Sequence, residues 1–220
     1  SASIAIGNLQ TALTQDFESG LGAWTVVNAS TGGTTPAAVA WTLRTNPHVP
    51  GGGSSETINS GGGTQFVISN ADLVGSGVAV DTSLISPAFS TVGYTSLSLN
   101  YRHYLRWLSG TSATVSVSTD GGTVWTPVQT FNTASVGAQA AFVPASVNLD
   151  AYVGNPSVQI RFRNVSGWNW YWNVDDIQLT GAAACPSADL SITKTDGSTT
   201  ATAGTTVSYT VGYANAGPTS

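Results

Sequence analysis

Gly167-Trp168-Asn169-Trp170-Tyr171-Trp172-Asn173-Val174-Asp175-Asp176-Ile177-Gln178-Leu179 is the stretch whose reading decides the fold. A β-strand alternates its faces, so Trp168, Trp170 and Trp172 share one side, and Asn169, Tyr171 and Asn173 share the other. Val174 continues the tryptophan side, but Ile177 and Leu179 fall on the opposite one. One extra residue must therefore be absorbed near Asp175-Asp176, and a β-bulge at that point re-aims both carboxylates. An aromatic strand beside a kinked acidic pair can serve a metal site, a ligand surface or a core, and the rest of the sequence has to separate these.

Working outward, the composition favours strands. The chain has 220 residues, enough for one large domain or one domain and part of another. Charged residues make up only 8%, and a single lysine and two glutamates stand against seven tryptophans, far below the usual charged share of about a quarter. Helix-forming charged residues are scarce and β-formers abundant, so an all-β fold is expected. The net charge of −5 comes from few charges of either sign. Arg161 and Arg163 are too little for the basic, aromatic-interleaved patch that nucleic acid requires. Cys185 stands alone, which excludes a disulfide framework. No window carries the ~18 consecutive apolar residues of a membrane helix. The start Ser1-Ala2-Ser3, without methionine or a charged leader, reads as a processed or excised segment. Low charge, little cysteine and much Thr, Ser and Gly suit an exported bacterial surface protein.

Along the chain, short strands alternate with turns. Leu13 to Val27 holds an opening strand with Asp16 and Glu18 on one face and Phe17 on the other, a Gly turn, and Trp24-Thr25-Val26-Val27. Trp41-Thr42-Leu43 is a short strand, followed by a Gly-, Ser- and Pro-rich loop from Asn46 to Gly63; a loop of that length inside a domain is usually functional or mobile. Thr64 to Ser69 is a strand that ends in Asn70-Ala71-Asp72, and Val78 to Pro87 another. Leu97, Leu99, Tyr101, His103 and Leu105 alternate with polar residues, the cleanest half-buried strand in the chain. Val115 and Val117 lead through Asp120-Gly121-Gly122 to Val124-Trp125, a β-hairpin. Val158, Ile160 and Phe162 alternate just before the aromatic stretch. These regular strands predict one jelly-roll β-sandwich over residues 13–180 behind an N-terminal arm at 1–12. Gly181 to Ser187 reads as a linker, and 188–220 as a truncated domain, because two or three strands cannot bury a core of their own.

The residues also resemble a known family. Asp16-Phe17-Glu18-Ser19-Gly20 with Trp24, Leu84-Ile85-Ser86-Pro87, Val117-Ser118-Thr119-Asp120-Gly121-Gly122 with Trp125, and Asn169-Trp170 with Val174-Asp175-Asp176-Ile177 occur in that order. The set is similar to the jelly-roll modules of the MAM-like, choice-of-anchor and cleaved-adhesin group, found on secreted bacterial proteases and surface proteins such as gingipains. The resemblance implies a structural calcium ion, with Asp16, Glu18, Asn70, Asp72, Asp175 and Asp176 as its candidate ligands. The chemistry agrees, since calcium takes about six to eight hard oxygens from carboxylates, amides and carbonyls. The tail, with Ala188-Asp189-Leu190-Ser191-Ile192-Thr193, Val207-Ser208-Tyr209-Thr210-Val211 and Asn215-Ala216-Gly217-Pro218, resembles the start of an Ig-like repeat of bacterial surface proteins. A neighbouring subunit that adds a strand is a candidate partner for it.

Each candidate has an ordinary alternative. The acids are either a calcium tie between the first and last strands or solvated turn residues. The aromatics Trp168, Trp170, Tyr171 and Trp172 either fill the core or form a platform for a glycan or surface-protein ligand, joined by Arg106 and Trp107. Ser118 to Trp125 fits the Asp-box pattern of sialidase blades, but a single copy without an arginine cluster is a hairpin device. His48 and His103 stand in no metal-ligand spacing, and no nucleophile-elbow motif accompanies them. The expectation is a non-catalytic adhesion or ligand-binding module stabilised by calcium. The alternative is a structural spacer or an accessory domain of a secreted protease or surface filament.

Overall fold

The computed structural model describes residues 9–184 and 190–215. Asn8–Ala183 is one compact unit, and the C-terminal strands belong to a second. The first unit carries eleven strands: β1 (Leu9–Gln15), β2 (Thr25–Asn28), β3 (Thr42–Thr45), β4 (Gln65–Asn70), β5 (Val80–Ile85), β6 (Ser98–Leu105), β7 (Ser112–Ser118), β8 (Thr126–Phe131), β9 (Val143–Asn148), β10 (Gln159–Ser166) and β11 (Tyr171–Ala182). They form a six-stranded sheet ordered β3-β4-β11-β6-β9, with β1 also on β11, and a five-stranded sheet ordered β2-β5-β10-β7-β8. Every described ladder is antiparallel. The all-β sandwich is therefore as expected, with two shifts at its ends. β1 begins at Leu9, inside the predicted arm, and β11 runs to Ala182, inside the predicted linker. That strand needs glycine at 181, because a Cβ there would collide with the Ser96 carbonyl. Cys185 lies outside the described residues.

The core is the seam between the sheets. Leu97, Leu99, Tyr101 and Leu105 from β6 and its approach meet Val115, Val117, Ile160 and Phe162 from the opposite sheet. Trp172, Val174, Ile177 and Leu179 all join this cluster, so the change of parity seen in the sequence is real. Pairing of β11 with β6 shifts between Asp175 and Gln178, and Asp176 takes a left-handed φ of 50°. That backbone region disfavours residues other than glycine. The same point is where β11 changes its other neighbour, from β4 (Tyr171–Val174) to β1 (Ile177–Ala182).

The long loop is packed. It crosses the outer face of the six-stranded sheet and seals a second cluster of Ile58, Phe66, Ile68, Tyr104, Phe142 and Tyr171, with Trp170 at its edge. Glu56 tethers it: its Oε2 accepts the hydroxyls of Tyr171 and Tyr104, and its Oε1 lies 3.3 Å from Arg106 Nη1. Removing this carboxylate in Glu56→Ala strands the Tyr104 hydroxyl and takes the countercharge from Arg106, while Tyr171 keeps Ser54 Oγ as a partner, at a cost of about 2 kcal/mol. Limited proteolysis should then cut within 46–63 much faster than in wild type; an unchanged cleavage rate would show that the tether does not hold the loop.

The second unit shows β12 (Leu190–Thr195) paired antiparallel with β13 (Thr210–Asn215). Ile192 is 76% and Tyr213 90% exposed, and these two residues are register partners.

Candidate functional site

The architecture divides the candidate residues into two places. At the bulge, Asp175 is fully buried, and its Oδ1 accepts the Asp176 backbone N–H at 2.8 Å. Its Oδ2 is buried without a hydrogen-bond partner. Burial pushes the Asp175 carboxyl up to about 6; the nearby Ser60 hydroxyl and the Asp176 N–H oppose the rise, and the charges of Asp176 and Glu18 add to it. The turn after β1 brings the other acids. Phe17 adopts a φ of 60° and sinks into the core, which turns Glu18 toward the start of β4. There Glu18 accepts from the backbone N–H groups of Thr64 (2.7 Å) and Gln65 (3.0 Å) and from the Thr64 hydroxyl. These bonds, the Thr64 hydroxyl first, hold its carboxyl below the usual range. Asp16 lines a shallow cavity with Asp176, and Asp16 Oδ1 accepts the Glu18 N–H at 3.1 Å. Asp16 and Glu18 thus lie in a turn beyond the strand that was expected to carry them.

The glycine tract of the loop permits this convergence. A Cβ on Gly62 would lie 2.7 Å from Asp176 Oδ2 and 2.9 Å from Asp175 Oδ2, and one on Gly63 would overlap Glu18 Oε1. Among the described residues no three acid, histidine or cysteine side chains already converge as a closed ligand set. The side chains are nevertheless of the type a hard cation takes: carboxylate oxygens of two segments, the turn after β1 and the bulge of β11, one of them buried without a partner. The nearest countercharge is Arg102, whose Nη1 lies 3.7 Å from Asp176 Oδ2.

Asn70 and Asp72 are not part of this cluster. They sit at the far end of β4 from the Glu18 contacts, about 17 Å away at ~3.3 Å per residue. Asn70 Oδ1 accepts the Asp72 N–H and its Nδ2 donates to the Pro50 carbonyl, capping a short 3₁₀ turn. Asp72 Oδ2 accepts the Gly53 N–H at 2.6 Å, and no room exists for a side chain on Gly52, whose Cβ would overlap that carboxylate.

Asp72 instead borders the second place, a groove of about 310 Å³ lined by Gly53, Asp72, Leu108, Trp168, Asn169 and Trp170. Trp168 is 51% exposed, and its Nε1 donates to the Asp72 carbonyl at 3.3 Å, which fixes the ring. Trp170 is half-buried with the Arg106 guanidinium 3.5 Å from its ring centroid. The other expected ligand residues are elsewhere. Trp172 is fully buried between the sheets, 5.3 Å from Trp41 and 5.8 Å from Phe162 by ring centroids. Tyr171 is sealed under the long loop, so both faces of β11 are covered there. Trp107 packs against the main core and donates Nε1 to the Thr111 carbonyl at 3.2 Å. Sequence reasoning missed Leu108, Asp72 and Gly53 as groove residues. It also missed Glu56, whose rarity in this chain was the available signal.

The histidines belong to the packing. His103 lies in the core with Nδ1 accepting Trp172 Nε1 at 3.2 Å, and burial pulls its pKa from 6.5 down to about 4. His48 meets Phe66 edge-on at 6.2 Å. Asp120 is consumed by its own hairpin turn, accepting from Ser118, Thr123 and Val124.

The architecture has counterparts among solved structures. The chain is similar to the K1 cleaved adhesin domain of Lys-gingipain from Porphyromonas gingivalis W83, with a TM-score of 0.52 and 19% identity, over 79% of this chain and 98% of that domain. The sandwich has the cleaved-adhesin fold. The K2 cleaved adhesin domain of Lys-gingipain agrees, with a TM-score of 0.51 and 21% identity over 76% of this chain and 96% of that domain. At these identities the likeness concerns the fold. No family model matches the chain, and no curated protein matches it.

Proposed function

We propose that the Asn8–Ala183 sandwich is a non-catalytic adhesion or ligand-binding module of an exported bacterial surface protein, clasped by a structural calcium ion. The observation that carries this reading is the groove. Trp168 is the exposed aromatic among the described residues of the sandwich, and its ring is held by a hydrogen bond to a neighbouring backbone. A rigid flat ring beside a second fixed indole offers contact area at little entropic cost, which suits a glycan ring or a protein side chain. The cleaved-adhesin fold supports an extracellular setting.

Calcium would be held by Asp16, Glu18, Asp175 and Asp176, and it would supply positive charge to carboxylates that now repel one another. The ion would tie the turn after β1, the start of β4 and the bulge of β11 together, and its binding free energy would add to stability. Asn70 and Asp72 are left out of this set.

Glycan and peptide arrays probed with wild type and Trp168→Ala test the ligand reading. At least one ligand should be lost in the variant while the melting temperature stays unchanged. No ligand, or binding indifferent to Trp168, would reject the adhesion role.

The exposed Ile192 and Tyr213 of the second unit favour a further reading for that segment alone: an assembly element, Ig-like in type, whose sheet is extended by a strand from elsewhere. Size-exclusion of the chain with and without the residues after Ala183 tests it, and identical monomeric behaviour would argue against it.

A further inference from the structure

We infer that the Trp168–Trp170 groove selects a cationic side chain, the lysine or arginine of a peptide ligand, over a neutral sugar. The inference rests on the groove being the ligand site. Among the groove's lining residues one is ionisable, and it is Asp72, only 7% exposed. Asp72 lines the groove together with two indoles and Leu108, its carboxylate against the Gly52-Gly53 turn. An aromatic face attracts a cation through its quadrupole, and a nearby carboxylate completes the countercharge.

The hydrogen-bonding character points the same way. Trp168 Nε1 is committed to the Asp72 carbonyl, the Gly53 N–H to Asp72 Oδ2, and Asn169 Nδ2 to the Ser109 carbonyl and the Thr111 hydroxyl. Sugar hydroxyls need donors and acceptors in alternation, whereas an ammonium or guanidinium group needs acceptors alone. With these donors engaged, the groove is better matched to the cation. Its volume, about 310 Å³, is at the lower end of ligand sites and suits one side chain more than an extended saccharide. The native cation nearby covers one face of Trp170, with the Arg106 guanidinium 3.5 Å from its centroid and paired with Glu56, but Arg106 is not among the lining residues, and the exposed Trp168 ring supplies the open aromatic face.

Asp72 also anchors the Gly52-Gly53 turn, and a neutral anchor would serve that purpose equally. Asp72→Asn keeps an oxygen acceptor for the Gly53 N–H and removes only the charge, so it separates the two roles. The experiment is a fluorescence and calorimetric titration of the whole chain at low salt with N-acetyl-lysine methylamide, N-acetyl-arginine methylamide, the isosteric norleucine amide and neutral oligosaccharides. The lysine and arginine amides should bind saturably. The norleucine amide should bind about tenfold more weakly, Asp72→Asn should lose about tenfold for the cations only, and rising salt should weaken the wild-type interaction. Equal binding of lysine and norleucine amides, or salt-independent binding by wild type, would overturn the inference whether or not the variant folds. Trp168-dependent binding of a neutral oligosaccharide without cation preference would overturn the inference and leave the ligand site standing. Absence of Trp168-dependent binding for every probe would overturn both.

Discussion

Trp172→Ala is expected to lose about 3–5 kcal/mol of unfolding free energy, the range for removing a large aromatic from a packed core. Trp172 is fully buried and stands at the meeting point of the two sheets, touching rings from β6, β8, β10 and the approach to β3: His103, Phe131, Phe162 and Trp41. Its Nε1 also satisfies the buried His103 Nδ1, so truncation leaves both a cavity and an orphaned acceptor. Four positions earlier, where the ring is 51% exposed, Trp168→Ala should change stability by less than about 0.5 kcal/mol, as for an exposed surface residue. Urea unfolding of both variants checks this. A small effect at Trp172 with a large one at Trp168 would mean that the aromatic stretch had been divided wrongly between core and groove.

The second large effect concerns pH, where His103 and Asp175 act in opposite directions. Above pH 6.5 the His103 imidazole is neutral in both states and its contribution is complete. As pH falls from 6.5 to about 4, the unfolded chain takes up a proton that the folded core refuses, and stability drops by about 3 kcal/mol. The depressed carboxyls of Asp81, paired with Arg163, and of Asp120 and Asp150 act in the same sense at lower pH. Asp175 works the other way, because its folded value of about 6 stands above the ordinary 3.8. Its contribution is complete below pH 3.8 and is lost as pH rises through about 6, again by about 3 kcal/mol. In chelator, Asp175→Asn should therefore be more stable than wild type by about 3 kcal/mol at pH 7.5, and the difference should vanish near pH 3.5. Urea midpoints at the two pH values measure it. A variant less stable than wild type at pH 7.5 in chelator would show that the buried charge is already compensated within the chain.

The fold was largely legible because its signals are local. The alternation over Leu97 to Leu105 predicted a half-buried strand, and the change of parity between Val174 and Ile177 predicted the bulge at Asp175-Asp176. Both follow from the two-residue period of a strand. What failed depends on pairing between distant segments. Asp16, Glu18 and Asp175-Asp176 meet because β11 exchanges β4 for β1 at the bulge, whereas Asn70 and Asp72 lie at the other end of β4. No spacing in the sequence states which end of a strand faces which. The aromatic stretch was only partly legible for a related reason. Alternation separates Tyr171 from Trp172 but does not reveal that the loop from Asn46 to Gly63 covers the second face. The glycines of that loop were visible, yet their role, close approach to carboxylates at Gly52, Gly62 and Gly63, appears only once the chain is folded.

The bulge acids hold the account together, since they explain the parity break, the glycine tract and the left-handed backbone at Asp176. The direct measurement is the melting temperature at pH 7.5 of wild type and Asp175→Asn, each in calcium and in chelator. Calcium at about a hundred times its Kd should raise the wild-type midpoint by about 5–10 °C and leave the variant unmoved. A wild-type midpoint identical in calcium and chelator would contradict the clasp.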